Sequence, residues 1–135
     1  MKQTPGTIAK LDDEHRLVFG WAYITKTADG EVIIDKQGDF VDDDWELESA
    51  AYEFVKSEGN GDEMHLQVPV SRVVESVVFT PEKLEKMGLP PGSLPTGWWV
   101  GFQVSDDDVW SDVKSGRYRS FSIGGTGFRE KVDAR

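Results

Sequence analysis

The stretch Trp98-Trp99-Val100-Gly101-Phe102-Gln103-Val104 restricts the fold more than any other. Large apolar side chains fall on every second residue, at Trp98, Val100, Phe102 and Val104. A strand turns successive side chains to opposite faces, so these four share one face that another layer has to cover. Leu17 to Tyr23 repeats the pattern: Leu17, Phe19, Trp21 and Tyr23 alternate with Val18, Gly20 and Ala22. Two such strands require a sheet with something packed on it.

Local signals give the remaining elements. Residues 7–11 and 72–79 read as strands, the first leading into a polar turn at Asp12–Arg16. Glu31–Asp35 and residues 63–70 read as further short strands, the latter bent near Pro69. Residues 117–128 read as a last strand with a glycine-rich end. A helix is expected from about Asp44 to Ser57, where Leu47, Ala50, Ala51 and Phe54 recur at helical spacing, as do Trp45, Tyr52 and Val55. Acidic residues crowd its first turn, which suits the helix dipole. Thr80-Pro81-Glu82 is a helix start, with a capping hydroxyl and then proline at the first helical position, and Gly88 ends that helix. Ser105 to Asp108 caps a third short helix that ends at Gly116. The expected architecture is α+β: a mainly antiparallel, barrel-like sheet of about seven strands flanked by two or three helices. Residues 1–135 read as a single domain, without internal repeats.

Composition narrows the function classes. The chain has no Cys, so disulfides and thiolate metal sites are excluded. Its formal net charge is −10, which gives it no general attraction for phosphate backbones or anionic membranes. The N-terminal residues carry no apolar core of a signal peptide, and no apolar run approaches a membrane span of roughly 18 residues. A soluble, cytosolic protein with neither nucleic acid nor membrane as partner is therefore expected.

The candidates for chemistry are few. Only two histidines are present, His15 and His65. Imidazole is the usual base for activating a hydroxyl near neutral pH. His15 sits in Leu-Asp-Asp-Glu-His-Arg and reads as part of an exposed turn. In a strand, His65 faces outward with Gln67, while Met64 and Leu66 face the core. Tyr118 to Gly125, YRSFSIGG, places Ser120 and Ser122 on one strand face and Phe121 and Ile123 on the other. Gly124 and Gly125 follow, and glycines let peptide N–H groups approach a reacting carbonyl, as an oxyanion hole needs. A surface serine before a turn is the plainer explanation of the same residues. Glu75 lies in the apolar run RVVESVVFT, where a carboxylate needs a partner or must face water. It is a candidate for orienting His65. The Asp runs at 42–44 and 106–108 read as helix caps, and they lack EF-hand spacing. No HExxH, P-loop or dinucleotide-binding motif is present, and no metal or cofactor is called for.

Read in order, the blocks VFGWAYI, DKQGDFVDDDWELESAAYEFV, GDEMH, VVESVVFTPEKLEKMGLP and GWWVGFQVSDDDVWSDVKSGRYRSFSIGG resemble the XkdF-like phage serine proteases over about residues 8–130. These in turn are similar to the prohead maturation proteases of tailed phages and, more remotely, to herpesvirus assemblin. The resemblance implies a β-barrel flanked by helices and a serine endopeptidase of procapsid maturation. Major capsid and scaffold proteins would be its substrates, met in the host cytoplasm within the assembling procapsid. It also implies homodimers or higher homo-oligomers, since proteases of this type often act only as dimers or inside shells. His65 takes the place of the family's base and Ser122 that of its nucleophile, with Ser120 the neighbouring alternative. The third member stays open among Glu75, Glu130 and Asp133, or is absent, leaving a dyad. A protease-like assembly or binding module without activity, using exposed Trp such as those of GWWVG, is the rival.

Overall fold

The computed structural model describes residues 8–34, 38–59 and 71–116. Four strands run in these: β1, Ile8–Asp12; β2, Leu17–Lys26; β3, Ser71–Phe79; and β4, Thr96–Val104. Three helices accompany them: α1, Asp44–Gly59; α2, Pro81–Met87; and α3, Asp107–Lys114. The strands form one antiparallel sheet in the order β1-β2-β4-β3. β4 lies between β2 and β3, so the chain passes through α1 to cross from one side of β4 to the other.

The α+β class and the antiparallel pairing are as the sequence indicates. Strand number and closure need correction. Among the described residues the sheet has four strands, not about seven, and it is open, with β1 and β3 as its edges. The segment Glu31–Asp35 contributes an isolated bridge, Lys26 to Val32, instead of a strand. A tight turn explains this. Thr27 and Glu31 are linked backbone to backbone at 2.9 Å, and Ile33 N–H donates to the Thr25 carbonyl at 2.8 Å, which takes up the segment's pairing. The expected strands at 63–70 and 117–128 lie outside the described residues.

Trp98, Val100, Phe102 and Val104 are all buried, as their alternation requires. They pack with Leu47, Ala51 and Phe54 of α1 and with Trp110 and Val113 of α3, so both helices cover the same face. Phe54 stands edge-on to Trp98 at 5.4 Å and to Phe102 at 6.1 Å between ring centres. Of the two apolar stripes on α1, the Leu47-Ala51-Phe54 stripe enters this core, while Trp45, Tyr52 and Val55 stay exposed.

Caps and ion pairs fix the helices where the sequence places them. Thr80 Oγ1 accepts from Lys83 N–H at 3.2 Å, Pro81 opens α2, and Gly88 closes it in the left-handed region at φ 83°. Asp106 Oδ1 accepts from Val109 N–H at 2.9 Å at the start of α3. Asp43 does the same for Trp45 N–H at 3.0 Å. Both Asp runs therefore contribute caps. Lys26 at the end of β2 reaches Asp44 at 3.1 Å and so ties the sheet to the first turn of α1. Trp110 Nε1–H donates to Asp13 at 2.7 Å, and Arg16 pairs with Asp107, which pins α3 across the β1–β2 turn. That indole bond, with Lys114 nearby, holds the Asp13 carboxyl below the usual carboxylate range.

Where β2 and β4 come closest, a side chain is not tolerated. A Cβ at Gly97 would lie 2.6 Å from the Tyr23 carbonyl oxygen and 3.2 Å from Ile24 Cα, both backbone atoms of the paired strand. Gly97→Ala is expected to destabilise the protein by about 1–3 kcal/mol, because backbone has to move to admit it. Urea unfolding followed by tryptophan fluorescence measures this; an unchanged midpoint would contradict the close approach.

Candidate functional site

Glu75 reaches its position through a break in strand register. β3 pairs Val73 with Phe102 and then Glu75 with Gly101, which leaves Val74 as an extra, half-exposed residue. The bulge turns Glu75 to the sheet face opposite α1 and α3, together with Val77 and Phe79. Without it Glu75 would point toward the helices, where a carboxylate would need a buried partner.

That face carries an aromatic floor. Phe19 stacks on Trp99 at 6.3 Å between ring centres. Trp21 meets Trp99 edge-on at 5.5 Å and Phe79 at 5.8 Å. Phe19 lies directly over Gly101: a Cβ there would fall 2.6 Å from its ring and 3.3 Å from Glu75 Cβ. The missing side chain at Gly101 thus lets an aromatic ring lie beside the acid. Lys10 Nζ caps the same Phe19 ring at 4.8 Å, a cation–π contact from the edge strand.

Glu75 is exposed, and Trp99 Nε1–H donates to its Oε1 at 3.0 Å across β3 and β4. An indole N–H cannot accept or take up a proton here, so it fixes one carboxylate oxygen without neutralising the group. The other oxygen is left able to accept from a donor such as an imidazole N–H. Chemically this is an oriented acceptor rather than a proton-transfer pair.

Of the other candidates, His65, Ser120, Ser122, Glu130 and Asp133 lie outside the described residues. His15 is where its sequence context puts it. It sits in the β1–β2 turn with its side chain 61% exposed, and its ring Nδ1 is 3.0 Å from Asp12 Oδ2. The backbone and ring hydrogen bonds from His15 hold the Asp12 carboxyl below its ordinary range. The turn borders β4, whose Gln103 Nε2 donates to the His15 carbonyl at 3.2 Å, and β4 lies between the turn and Glu75's strand β3. The exposed Trp expected in GWWVG is not there: Trp98 is buried in the core, and Trp99 is engaged with Phe19, Trp21 and Glu75. The Trp that faces solvent is Trp45, on α1.

Trp99 as the partner of Glu75 escapes a reading of the sequence. The alternation places Trp99 on the face opposite Trp98, and that was the available signal. Its pairing with Glu75 depends on the register between β3 and β4 and on the bulge at Val74. A separate apolar cleft of about 360 Å³ lies between the end of β2, α2 and the connection to β4, lined by Leu84, Leu89, Pro91 and Leu94 among others. Its described lining holds none of the candidate residues.

An open antiparallel sheet covered on one face by two helices, with a solvent-accessible acid held on the other, has to be placed among known proteins by its sequence. The family described as "Putative phage serine protease XkdF" matches residues 5–131, and the chain belongs to that family. It is also 34% identical over 120 residues to a Bacillus subtilis (strain 168) protein named "Uncharacterized protein YqbD". The match takes in 88% of this chain and 34% of the relative, so the chain spans about a third of the length of that protein. No solved structure matches the chain.

Proposed function

We infer that the chain is a serine endopeptidase of phage procapsid maturation, cutting scaffold or capsid protein by acyl transfer. The observation that carries this is the family match, whose span includes His65, Glu75 and Ser122. Ser122 Oγ attacks the scissile carbonyl carbon while His65 takes its proton. Peptide N–H groups near Gly124 and Gly125 hold the negative oxygen of the tetrahedral intermediate. The C–N bond then breaks, the leaving amine takes the proton from His65, and water releases the acyl group by the same route in reverse. Glu75 accepts from the far ring nitrogen of His65 and orients it. Its fixed Oε1, held by Trp99, supports that role. Substrates are the capsid and scaffold proteins within the assembling shell, with the protease acting as a homodimer or larger homo-oligomer.

The alternative is a protease-like module that binds capsid components without cutting them. The exposed aromatic stripe on α1 favours it. A serine-directed fluorophosphonate probe, applied to the folded chain co-expressed with capsid and scaffold proteins, separates the two. Label on the peptide containing Ser122, absent after Ser122→Ala, is the result expected of the enzyme. No label on folded protein under those conditions assigns the chain to the binding module.

A further inference from the structure

The outward side of α1 is finished differently from an ordinary solvated helix face. Trp45 is 60% exposed, Tyr52 41% and Val55 40%. Trp45 and Tyr52 are two helical turns apart and touch edge-on at 6.2 Å, and Val55 continues the line. The core needs none of them, since Leu47, Ala51 and Phe54 supply the buried side of the helix. Tyr52 is also held in place. Lys83 Nζ lies 2.9 Å from its hydroxyl and 5.3 Å from its ring centre, and pairs with Glu48 at 2.9 Å. An aromatic fixed before binding loses little conformational freedom when a partner arrives.

Charge indicates what kind of partner this is. Residues 39–56 contain Asp39, Asp42, Asp43, Asp44, Glu46, Glu48 and Glu53 against Lys56. Lys26 and Lys83 reach in from outside to pair with Asp44 and Glu48, and Lys56 pairs with Glu53. Among the described residues, negative charge remains in excess around the stripe. A second copy would bring the same acidic rim and the same net charge of −10 against it. The three exposed side chains offer on the order of 300 Å² of apolar surface, well short of the roughly 800 Å² per partner of a standard stable interface. Both facts argue against self-association through this stripe and for a short segment of opposite charge.

We propose that the Trp45-Tyr52-Val55 stripe docks a basic amphipathic helix of another protein. Apolar residues of that helix at i, i+3 or i+4, and i+7 lie along the stripe, and its Lys and Arg side chains reach Glu46 and Glu53 on the flank. The docking stands independently of the protease assignment, because it uses no residue of the proposed catalytic group.

The test uses the full chain and a fluorescein-labelled amphipathic peptide of about 18 Leu and Lys residues, long enough to form a helix on a surface, followed by fluorescence anisotropy. Binding is expected at about 50 mM salt, weakening at least about five-fold near 300 mM. The pair Trp45→Ser and Val55→Ser should weaken it at least about ten-fold, since aromatic anchors carry most of such contacts. Glu46→Lys with Glu53→Lys should do likewise, and a peptide with Glu in place of Lys should not bind. All four positions lie outside the buried core, and an unchanged urea midpoint confirms that the variants fold. Equal binding by wild type and the double serine variant would overturn the proposal, as would no binding by wild type. Concentration-dependent dimerisation in sedimentation that Trp45→Ser abolishes would assign the stripe to a second copy instead.

Discussion

Ser122→Ala is expected to abolish cleavage of a co-expressed capsid or scaffold protein while leaving the fold intact. Removing a serine nucleophile closes the covalent route altogether; what survives is the acceleration due to bound substrate and oxyanion donors alone. In a well-studied serine protease of another fold, losing the nucleophile costs about a million-fold in kcat. Over the hours of a co-expression experiment that reads as no cleavage. Ser120 is the control that makes the result specific. The period-two reading of the sequence expects it on the same face as Ser122, with the same hydroxyl chemistry, and a two-residue slip would exchange them. Ser120→Ala should therefore cleave normally. If the order is reversed, Ser120 is the nucleophile and the acyl-transfer mechanism stands with that change. If the chain lacking both hydroxyls still cleaves, the serine-protease assignment ends. Electrophoresis of the capsid and scaffold bands reads the cleavage, and the urea midpoint shows that the variants fold.

Much of the scaffold could be read from residues alone, for identifiable reasons. Trp98, Val100, Phe102 and Val104 alternate without interruption, and the central strand β4 keeps that alternation throughout. Thr80, Pro81 and Gly88 bound α2 because each solves a local backbone problem at the helix ends that no distant contact alters. Where the sequence misleads, a longer-range effect has displaced a local one. In β2 the alternation predicts that Tyr23 follows Trp21, yet the register shift at Ala22 moves Tyr23 onto the helix-covered face, opposite Trp98. On α1, two stripes have the same period. Periodicity finds both but cannot say that Phe54 meets Trp98 while Trp45 meets water.

The candidate site was legible in a different way. Glu75 stands out as a charge in an apolar run, and the structure places it on the exposed face with a defined partner. The partner itself, Trp99, depends on how β3 and β4 align across an intervening helix and a proline-rich connection, which the local pattern does not encode. His65 and Ser122 owe their assignment to the resemblance and to the same-face serines, and they lie outside the described residues.

Glu75 provides the second large expected effect, and the one that decides the third catalytic member. If Glu75 orients the His65 imidazole, Glu75→Gln keeps the shape and the side-chain length but replaces an ionic acceptor with a neutral amide. That amide can present its N–H₂ to the ring and favour the wrong tautomer. In a serine protease of another fold the equivalent acid-to-amide change lowers kcat about ten-thousand-fold, and a loss of roughly a hundred- to ten-thousand-fold is expected here, in kcat rather than KM. Trp99→Phe should act in the same direction and more weakly. It removes the N–H donated to Oε1 at 3.0 Å while retaining a ring to pack with Phe19 and Trp21, so Glu75 keeps its charge but loses its fixed orientation. A purely structural role would separate the two variants from catalysis, lowering the urea midpoint without changing turnover of the remaining folded protein. If Glu75→Gln cleaves at the wild-type rate, the acid is Glu130 or Asp133, or the enzyme works with His65 and Ser122 alone. Glu130→Gln and Asp133→Asn distinguish those outcomes: loss in one names the acid, and full activity in both leaves a dyad. The ordering of the four variants thus assigns the group that orients the base.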